Sequence, residues 1–232
     1  TVYSAYPERT VIDIIGSGGV LPSDGGGPQP VAVDRSDVQA NVLKGLPHAH
    51  ALHVGLRMRD PAGARAFLRA LLDGSSGLQK VTNGTDRLPT ALTVGFTYEG
   101  LDRLGLSKAD DDAFHRSFPA FVRGPEHTEM ARHLGDVGDS DPARWQLGGN
   151  PRRRVHLVLS LFADDEGDLA SGAAALEAVW KAHGLNEITR RCADVLFSDD
   201  PSSKDRYVHF GYVDSLAQPR LAIADDSDIS ED

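Results

Sequence analysis

Apolar and polar positions along the chain alternate in four stretches that predict β-strands. The first strand is predicted over 49–59, where Leu52, Val54, Leu56 and Met58 fall on one face. The other three strands are predicted over 91–97, 154–162 and 188–197. Two further stretches, 62–72 and 164–183, have apolar residues three and four positions apart and predict amphipathic helices. The predicted order is therefore strand, helix, strand, helical insertion, strand, helix, strand.

This order predicts a fold of the α+β class. Two strand-helix-strand halves fit a ferredoxin-like sandwich, in which a four-stranded antiparallel sheet carries helices on one face. A short helical turn is predicted over 37–45, before the first strand, with Asp37 as its cap and Gly45 at its end. The insertion begins with a short helix over 98–104, and further helical turns are predicted between 107 and 137. We place the ferredoxin-like domain at 34–220.

The two ends of the chain have a different composition. Residues 1–33 predict an extended, flexible arm, because the glycine- and proline-rich segment 22–28 breaks any helix. Gly16-Ser17-Gly18-Gly19 follows an apolar run, but it lacks the third glycine and the helix of a dinucleotide-binding turn. Residues 221–232 predict an acidic tail.

Composition narrows the class of function. The chain has 232 residues, of which 40% are hydrophobic, and a formal net charge of -10. Nucleic acid is not an expected partner, because phosphate binding needs Lys and Arg clusters, and the only run, 152–154, is interpreted as a solvated strand entry. No apolar run approaches the roughly 18 residues of a membrane helix. We predict a cytoplasmic protein with no membrane or nucleic-acid partner.

The single cysteine and the nine histidines give little sign of a metal site. Cys192 is predicted to be a buried structural thiol, which fits a reducing compartment. His48 and His50 would share one face of the first strand and His53 the other, and the remaining histidines have no spacing typical of metal ligands. We therefore predict no metal-ligand set within this chain. His209 is kept as a candidate because it precedes an isolated acid by five residues.

That acid is Asp214, which lies among apolar and turn-forming residues in the segment 210–219. An acid between Val213 and Leu216 is expected to be partly desolvated, which favours the proton-bearing form that acid-base chemistry needs. Gly211 permits backbone angles closed to other residues and leaves room for a flat ligand. The alternative is that Asp214 caps a turn, as Asp commonly does.

Five segments in the same order resemble those of dye-decolorizing peroxidases. Residues 209–219, His-Phe-Gly-Tyr-Val-Asp-Ser-Leu-Ala-Gln-Pro, are similar to that family's Gly-x-x-Asp-Gly motif with its following Gln-Pro. Residues 37–45 resemble its opening segment, Asp-Ile-Gln-Gly-Asn-Ile-Leu. The other three matches lie at 96–106, at 134–145 and at 155–160. The matches span 37–219, and the family's fold is also ferredoxin-like.

The resemblance implies a haem peroxidase. Asp214 matches the aspartate that takes a proton from peroxide on the distal side of the haem and returns it to the leaving oxygen. Further residues would lie against haem b: His209, Gly211, Tyr212, Val213 and Ser215. A small organic molecule would be the reductant.

Two departures shape the expected function. Ser215 and Ala40 replace glycines of the family motifs. The second half of the family's chain, which holds the proximal histidine and the distal arginine, has no counterpart here. We therefore expect the distal-side half of a split peroxidase, which binds haem only with a complementary C-terminal-half chain. The alternatives are a self-associating, non-catalytic scaffold or binding subunit that has lost haem, and a domain that binds another ligand.

Overall fold

The computed structural model describes residues 35–43, 45–74, 77–84, 88–199, 203 and 205–214. The predicted arm over 1–33, the predicted acidic tail and Ser215 lie outside these residues. The proposed domain limits of 34 and 220 therefore stay predictions.

The centre of the fold is one four-stranded antiparallel sheet. Its strands are β1 (His50–Met58), β2 (Thr90–Phe96), β3 (Leu157–Ala163) and β4 (Leu185–Asp194). Their order across the sheet is β2-β3-β1-β4, and each neighbouring pair is antiparallel. This order, with the two sheet-packing helices on one face, is the predicted ferredoxin-like sandwich, which is confirmed.

Seven α-helices are described. They are α1 (Ala40–Leu43), α2 (Pro61–Asp73), α3 (Tyr98–Leu104), α4 (Lys108–Ser117), α5 (Pro119–Arg123), α6 (Thr128–Leu134) and α7 (Glu166–Ala182). Helix α2 begins where the Asp60 carboxylate accepts hydrogen bonds from the N–H groups of Ala62 and Gly63, and it ends at Gly74, whose φ is 65°. None of the helices in the described segments is long and apolar enough to cross a bilayer.

The core lies between the sheet and helices α2 and α7. The predicted apolar face of β1 is confirmed, because its four side chains are all buried. Phe67 and Leu71 of α2 and Leu176 and Trp180 of α7 pack against this face. Each such side chain stabilises the fold by about 2 kcal/mol when it leaves water. These contacts join α2 and α7 to the sheet and leave its other face without them.

Two strands differ from the prediction by three residues: β3 begins later than predicted, and β4 lies at 185–194 rather than 188–197. β3 begins at Leu157 rather than 154, because Asn150 caps a 3-10 helix over Pro151–Arg153 and the chain becomes regular only after His156. β4 ends at Asp194 rather than 197. The Val195 N–H donates to the Ala49 carbonyl, and the chain then leaves the sheet to form β5 (Leu196–Phe197), which pairs with β6 (Arg206–Tyr207).

The prediction that Cys192 is buried is wrong. The residue is exposed. Cys192 lies on β4, opposite Leu52 of β1. However, β4 is an edge strand of the sheet, and its last four residues are all exposed. A strand at the edge has a neighbour on one side only, so its end is left uncovered.

Candidate functional site

Asp214 follows a tight hairpin turn that the local sequence specifies. The Gly211 N–H donates to the Val208 carbonyl at 2.9 Å, and the Val208 N–H donates to the Tyr212 carbonyl at 2.9 Å. Gly211 has a φ of 85°, in the left-handed region that favours glycine. The Asp214 N–H then donates to the Arg206 carbonyl at 2.8 Å. These hydrogen bonds thus fix the backbone that leads into the candidate acid and the N–H of the acid itself.

The expected desolvation of Asp214 is not found within the described chain. The residue is exposed, and so is His209. The hairpin belongs to the separate two-stranded sheet of β5 and β6, and the described side chains around Asp214 are mostly exposed themselves. Gly211 and Tyr212 are also exposed, and Val213 is half-buried.

The hairpin and its supporting strands expose an unusual amount of apolar side chain. Phe210 is 88% exposed and Tyr212 is 73% exposed. Phe197 on β5 is 55% exposed, and Leu196 and Val208 are also exposed. We call these five residues the hairpin surface. Contiguous exposed apolar groups are typical of surfaces that bind a partner or a ligand.

The sheet carries a separate large cavity on the face opposite α2 and α7. Its volume is about 760 Å³, a size typical of small-molecule sites. The floor is the sheet, and the walls come from α3, α5 and the loop around Trp145. Two of the lining side chains, Phe121 and Leu147, are large, apolar and exposed. The cavity is therefore open, with apolar walls.

A row of polar side chains crosses this face of the sheet. In the strand register, Thr93 of β2 lies opposite Ser160 of β3, which lies opposite His53 of β1, which lies opposite Arg191 of β4. The His53 Nδ1 and the Ser160 Oγ are hydrogen-bonded at 2.8 Å. His53 and Arg191 line the cavity. The row gives the apolar cavity a polar edge.

Glu99 forms the charged part of the cavity wall. Its carboxylate lies 3.3 Å from Arg154 Nη1, 3.4 Å from Arg103 Nη2 and 3.4 Å from the Nε2 of buried His156. Burial acts to raise the pKa of Glu99, but His156 and the two guanidinium groups outweigh it, and the pKa is below its ordinary value. Glu99 therefore stays ionised.

Tyr98, next to Glu99, donates a hydrogen bond from its hydroxyl to the Asp111 carboxylate. The His115 Nε2 lies 3.1 Å from the Tyr98 hydroxyl oxygen. The hydrogen bond to Asp111 is the largest cause that raises the pKa of Tyr98 to about 12. The ring packs edge-on against Phe114 and Phe121. The phenol is thus held neutral against the aromatic wall.

The predicted site residues and the cavity are separate features. Neither Asp214 nor any other residue of its hairpin lines the cavity. No group of three potential metal ligands occurs among the residues that the structure describes. The sequence reasoning missed the cavity as a site, although three of the segments that carry the family resemblance contain cavity residues: Tyr98, Glu99, Trp145 and Val155.

The fold is similar to that of solved dye-decolorizing peroxidases. The DyP-type peroxidase of Anabaena sp. matches with a TM-score of 0.64 and 18% identity over 81% of this chain and 40% of that chain. A decolorizing peroxidase from Auricularia auricula-judae matches with a TM-score of 0.59 and 19% identity over 81% and 38%. DyP2 from Amycolatopsis sp. matches with a TM-score of 0.57 and 22% identity over 80% and 38%.

No protein-family model and no curated protein matches the chain. The structural matches show that the chain has a half-length DyP-type fold, and it spans about 40% of the length of the peroxidase of Anabaena sp.. At these identities the similarity concerns the fold.

Proposed function

We propose that this chain contributes the distal side of a DyP-type haem peroxidase, with the proximal side supplied by residues beyond these 232. The observation that carries the proposal is the combination of a half-length DyP-type fold with an exposed carboxylate on an apolar hairpin. An exposed acid beside Phe210 and Tyr212 has no evident use in a scaffold, but it suits one half of a site that a partner covers.

The residues of the hairpin fit one face of a haem. A haem has a broad apolar surface, and Phe197, Phe210 and Tyr212 offer apolar area beside a carboxylate. The only imidazole of the hairpin is His209, which is exposed. The similarity of the hairpin sequence to the family's distal motif favours the distal side, and we expect the axial histidine and the distal arginine to come from the complementary half.

Asp214 would act as the acid-base group. When bound, haem supplies the iron and the two electrons that cleave the O–O bond of peroxide. With haem bound, an Oδ atom of Asp214 would accept the proton of one peroxide oxygen and donate it to the other, which would leave as water together with the hydrogen that it already carries. The hydrogen bond from the Asp214 N–H to the Arg206 carbonyl fixes the backbone that bears the carboxylate, and cover by the second half would exclude water.

The test is reconstitution. The chain alone, mixed with haemin, should show no stoichiometric Soret band. When it is co-produced with the complementary half encoded after it or beside it, the pair should gain that band and oxidise a phenol only with peroxide. Phe210→Ser should weaken assembly more than ten-fold, whereas Leu134→Ser, which changes an exposed leucine of α6, should not. Stoichiometric haem binding by the chain alone, through its own histidine, would contradict the proposal.

The second candidate function is that of a binding subunit without haem. The observation that favours it is the cavity of about 760 Å³, which needs no second half to exist. Arg191 at its edge donates only to the Arg190 carbonyl and has no carboxylate partner among the described residues. A planar aromatic monoanion would place its ring against Trp145 and its charge on Arg191.

This candidate can be tested with 2-naphthoate and the uncharged 2-methoxynaphthalene. Arg191→Gln should weaken naphthoate binding and leave the uncharged analogue unaffected, whereas Trp145→Ala should weaken both. Arg65→Gln is the matched control. Arg65, on α2, is also exposed, and it donates to the backbone carbonyl of Leu104. Absence of saturable binding of either compound would exclude this function.

A further inference from the structure

Four arginines line a second pocket at the end of β1. The pocket has a volume of about 410 Å³ and is bordered by Arg57, Arg59, Arg103, Arg152 and Asn186. None of its lining residues is acidic or aromatic. It therefore differs from the large cavity in both charge and chemistry.

Most of this positive charge has no counter-ion within the part of the chain that the structure describes. Among the described residues, neither Arg57 nor Arg152 lies within ion-pair distance of a carboxylate. Arg59 donates its Nε and Nη2 to the amide oxygen of Asn186, at 2.6 and 2.8 Å in the amide orientation that satisfies both groups. Arg103 alone is paired, with Glu99 at 3.4 Å. Like charges held together raise the free energy of the fold, and a bound anion would relieve that repulsion.

Separate elements of the fold bring the arginines together. Arg57 lies on β1 directly opposite Asn186 of β4, next to a bulge at which the register between the two strands shifts. Arg103 comes from the last turn of α3, and Arg152 from the 3-10 helix before β3. The pocket is thus assembled by the tertiary fold and is not one run of charge.

The arginine run at 152–154 shows how selective the arrangement is. Arg152 lines the pocket, whereas Arg153 donates to the Gln146 carbonyl at 3.2 Å and Arg154 pairs with Glu99. The interpretation of this run as a solvated strand entry therefore accounts for neither Arg152 nor Arg154. Within the run, Arg152 lines the pocket and its neighbour Arg153 does not.

The geometry points to a binding site for a small multivalent oxyanion, such as a diphosphate or the phosphate group of a larger molecule. Guanidinium groups match phosphate oxygens with paired hydrogen bonds. Arg57 and Arg152 supply charge that no described carboxylate neutralises, and Arg59 and Arg103 supply further N–H donors. The absence of aromatic lining residues favours recognition through charge rather than through stacking of a base. The site is independent of haem.

Calorimetric titration of the full chain with inorganic pyrophosphate tests this site. We expect saturable one-to-one binding, and a ten-fold or greater loss of affinity in Arg57→Gln and in Arg152→Gln. Arg153→Gln is the matched control: it removes the same charge from the adjacent position, outside the pocket, and should change affinity less than two-fold. Arg57→Lys keeps the charge without the planar fork and should retain an intermediate affinity.

Two results would overturn the proposal. One is the absence of saturable heat with pyrophosphate at millimolar concentration. The other is an equal loss of affinity in Arg153→Gln and Arg152→Gln, because a general surface charge effect would not distinguish these neighbours. Circular dichroism of each variant checks that the fold is retained. Phosphate or acetate in place of pyrophosphate should bind more weakly, since each carries less charge.

Discussion

The buried imidazole of His156 joins β1 to α3: its Nδ1 accepts a hydrogen bond from the Met58 N–H at 3.1 Å, and its Nε2 lies 3.4 Å from the Glu99 carboxylate. Because Nδ1 is an acceptor, the proton of the neutral ring lies on Nε2 and faces Glu99. Protonation of Nδ1 would break the bond to Met58.

This arrangement predicts a loss of stability on mild acidification. Burial lowers the pKa of His156 below its ordinary value of 6.5, although Glu99 opposes this in part. Below pH 6.5 the unfolded chain therefore binds a proton that the folded chain resists, so the free energy of unfolding falls with falling pH. His156→Asn, which keeps an acceptor near the Nδ1 position, should flatten this dependence between about pH 7.5 and 5.5.

Denaturant unfolding across that range measures the effect. His209→Asn is the control, because His209 is exposed and its variant should keep the wild-type dependence. Glu99 does not interfere in this range. Its lowered pKa gives stability that is present above about 4.5 and is lost only below it. An unchanged pH dependence in His156→Asn would show that other groups control it.

Gly100 is required where α3 packs against the strand β3. A Cβ at this position would overlap the His156 carbonyl oxygen, whereas a Cβ at Gly95 would meet nothing within 4 Å. Gly100→Ala should lower the free energy of unfolding by about 3 kcal/mol, since the backbone must move apart. Gly95→Ala should change it by less than about 0.5 kcal/mol. Thermal unfolding of the two variants makes the comparison, and equal effects would contradict this packing.

The periodicity of the sequence was sufficient to predict the sheet and its two helices. Leu52, Val54, Leu56 and Met58 alternate, and burial of one face follows from that alternation. The helix over 98–104 was predicted with its observed limits from the spacing of Leu101 and Leu104 and from Gly105, which ends it; Thr97, predicted as the end of the strand, is its cap. Local chemistry and a single period were enough in these cases.

The sites were less predictable, because they depend on strand register and on elements distant in sequence. Nothing local indicates that His53 lies opposite both Ser160 and Arg191, or that Arg57 and Arg152 share a pocket. The burial expected for Asp214 was inferred from its apolar neighbours. In this short hairpin Tyr212 is exposed and Val213 is only half-buried, so they do not remove water from the carboxylate.

Tyr98 should ionise only at strongly alkaline pH. Its hydrogen bond to Asp111 raises its pKa from 10.0 to about 12, so the associated stability is present below pH 10 and is lost as the pH rises through 12. Absorbance titration of the phenolate should show a late step, near pH 12, that belongs to Tyr98. Tyr98→Phe should remove that step, and Asp111→Asn should move it to lower pH. Tyr212→Phe should leave it in place, because Tyr212 is exposed in the hairpin.

The role of Asp214 can be separated from that of His209 in a haem-bearing assembly with the complementary half. Asp214→Asn keeps the shape of the side chain but cannot accept the peroxide proton. It should slow the reaction with peroxide at least about 100-fold without changing haem content. Stopped-flow absorbance gives the rate, and the Soret band gives the haem content.

His209→Ala should reduce that rate far less, since the ring is exposed at the tip of the hairpin and is not expected to hold the iron. Asp205→Asn removes a carboxylate from the base of the same hairpin and serves as the control for charge; its rate should stay within about two-fold of the wild type. If His209→Ala abolishes the reaction while Asp214→Asn does not, the imidazole is the acid-base group. The hairpin would then still contribute the distal side, but through the imidazole of His209 rather than through the carboxylate of Asp214.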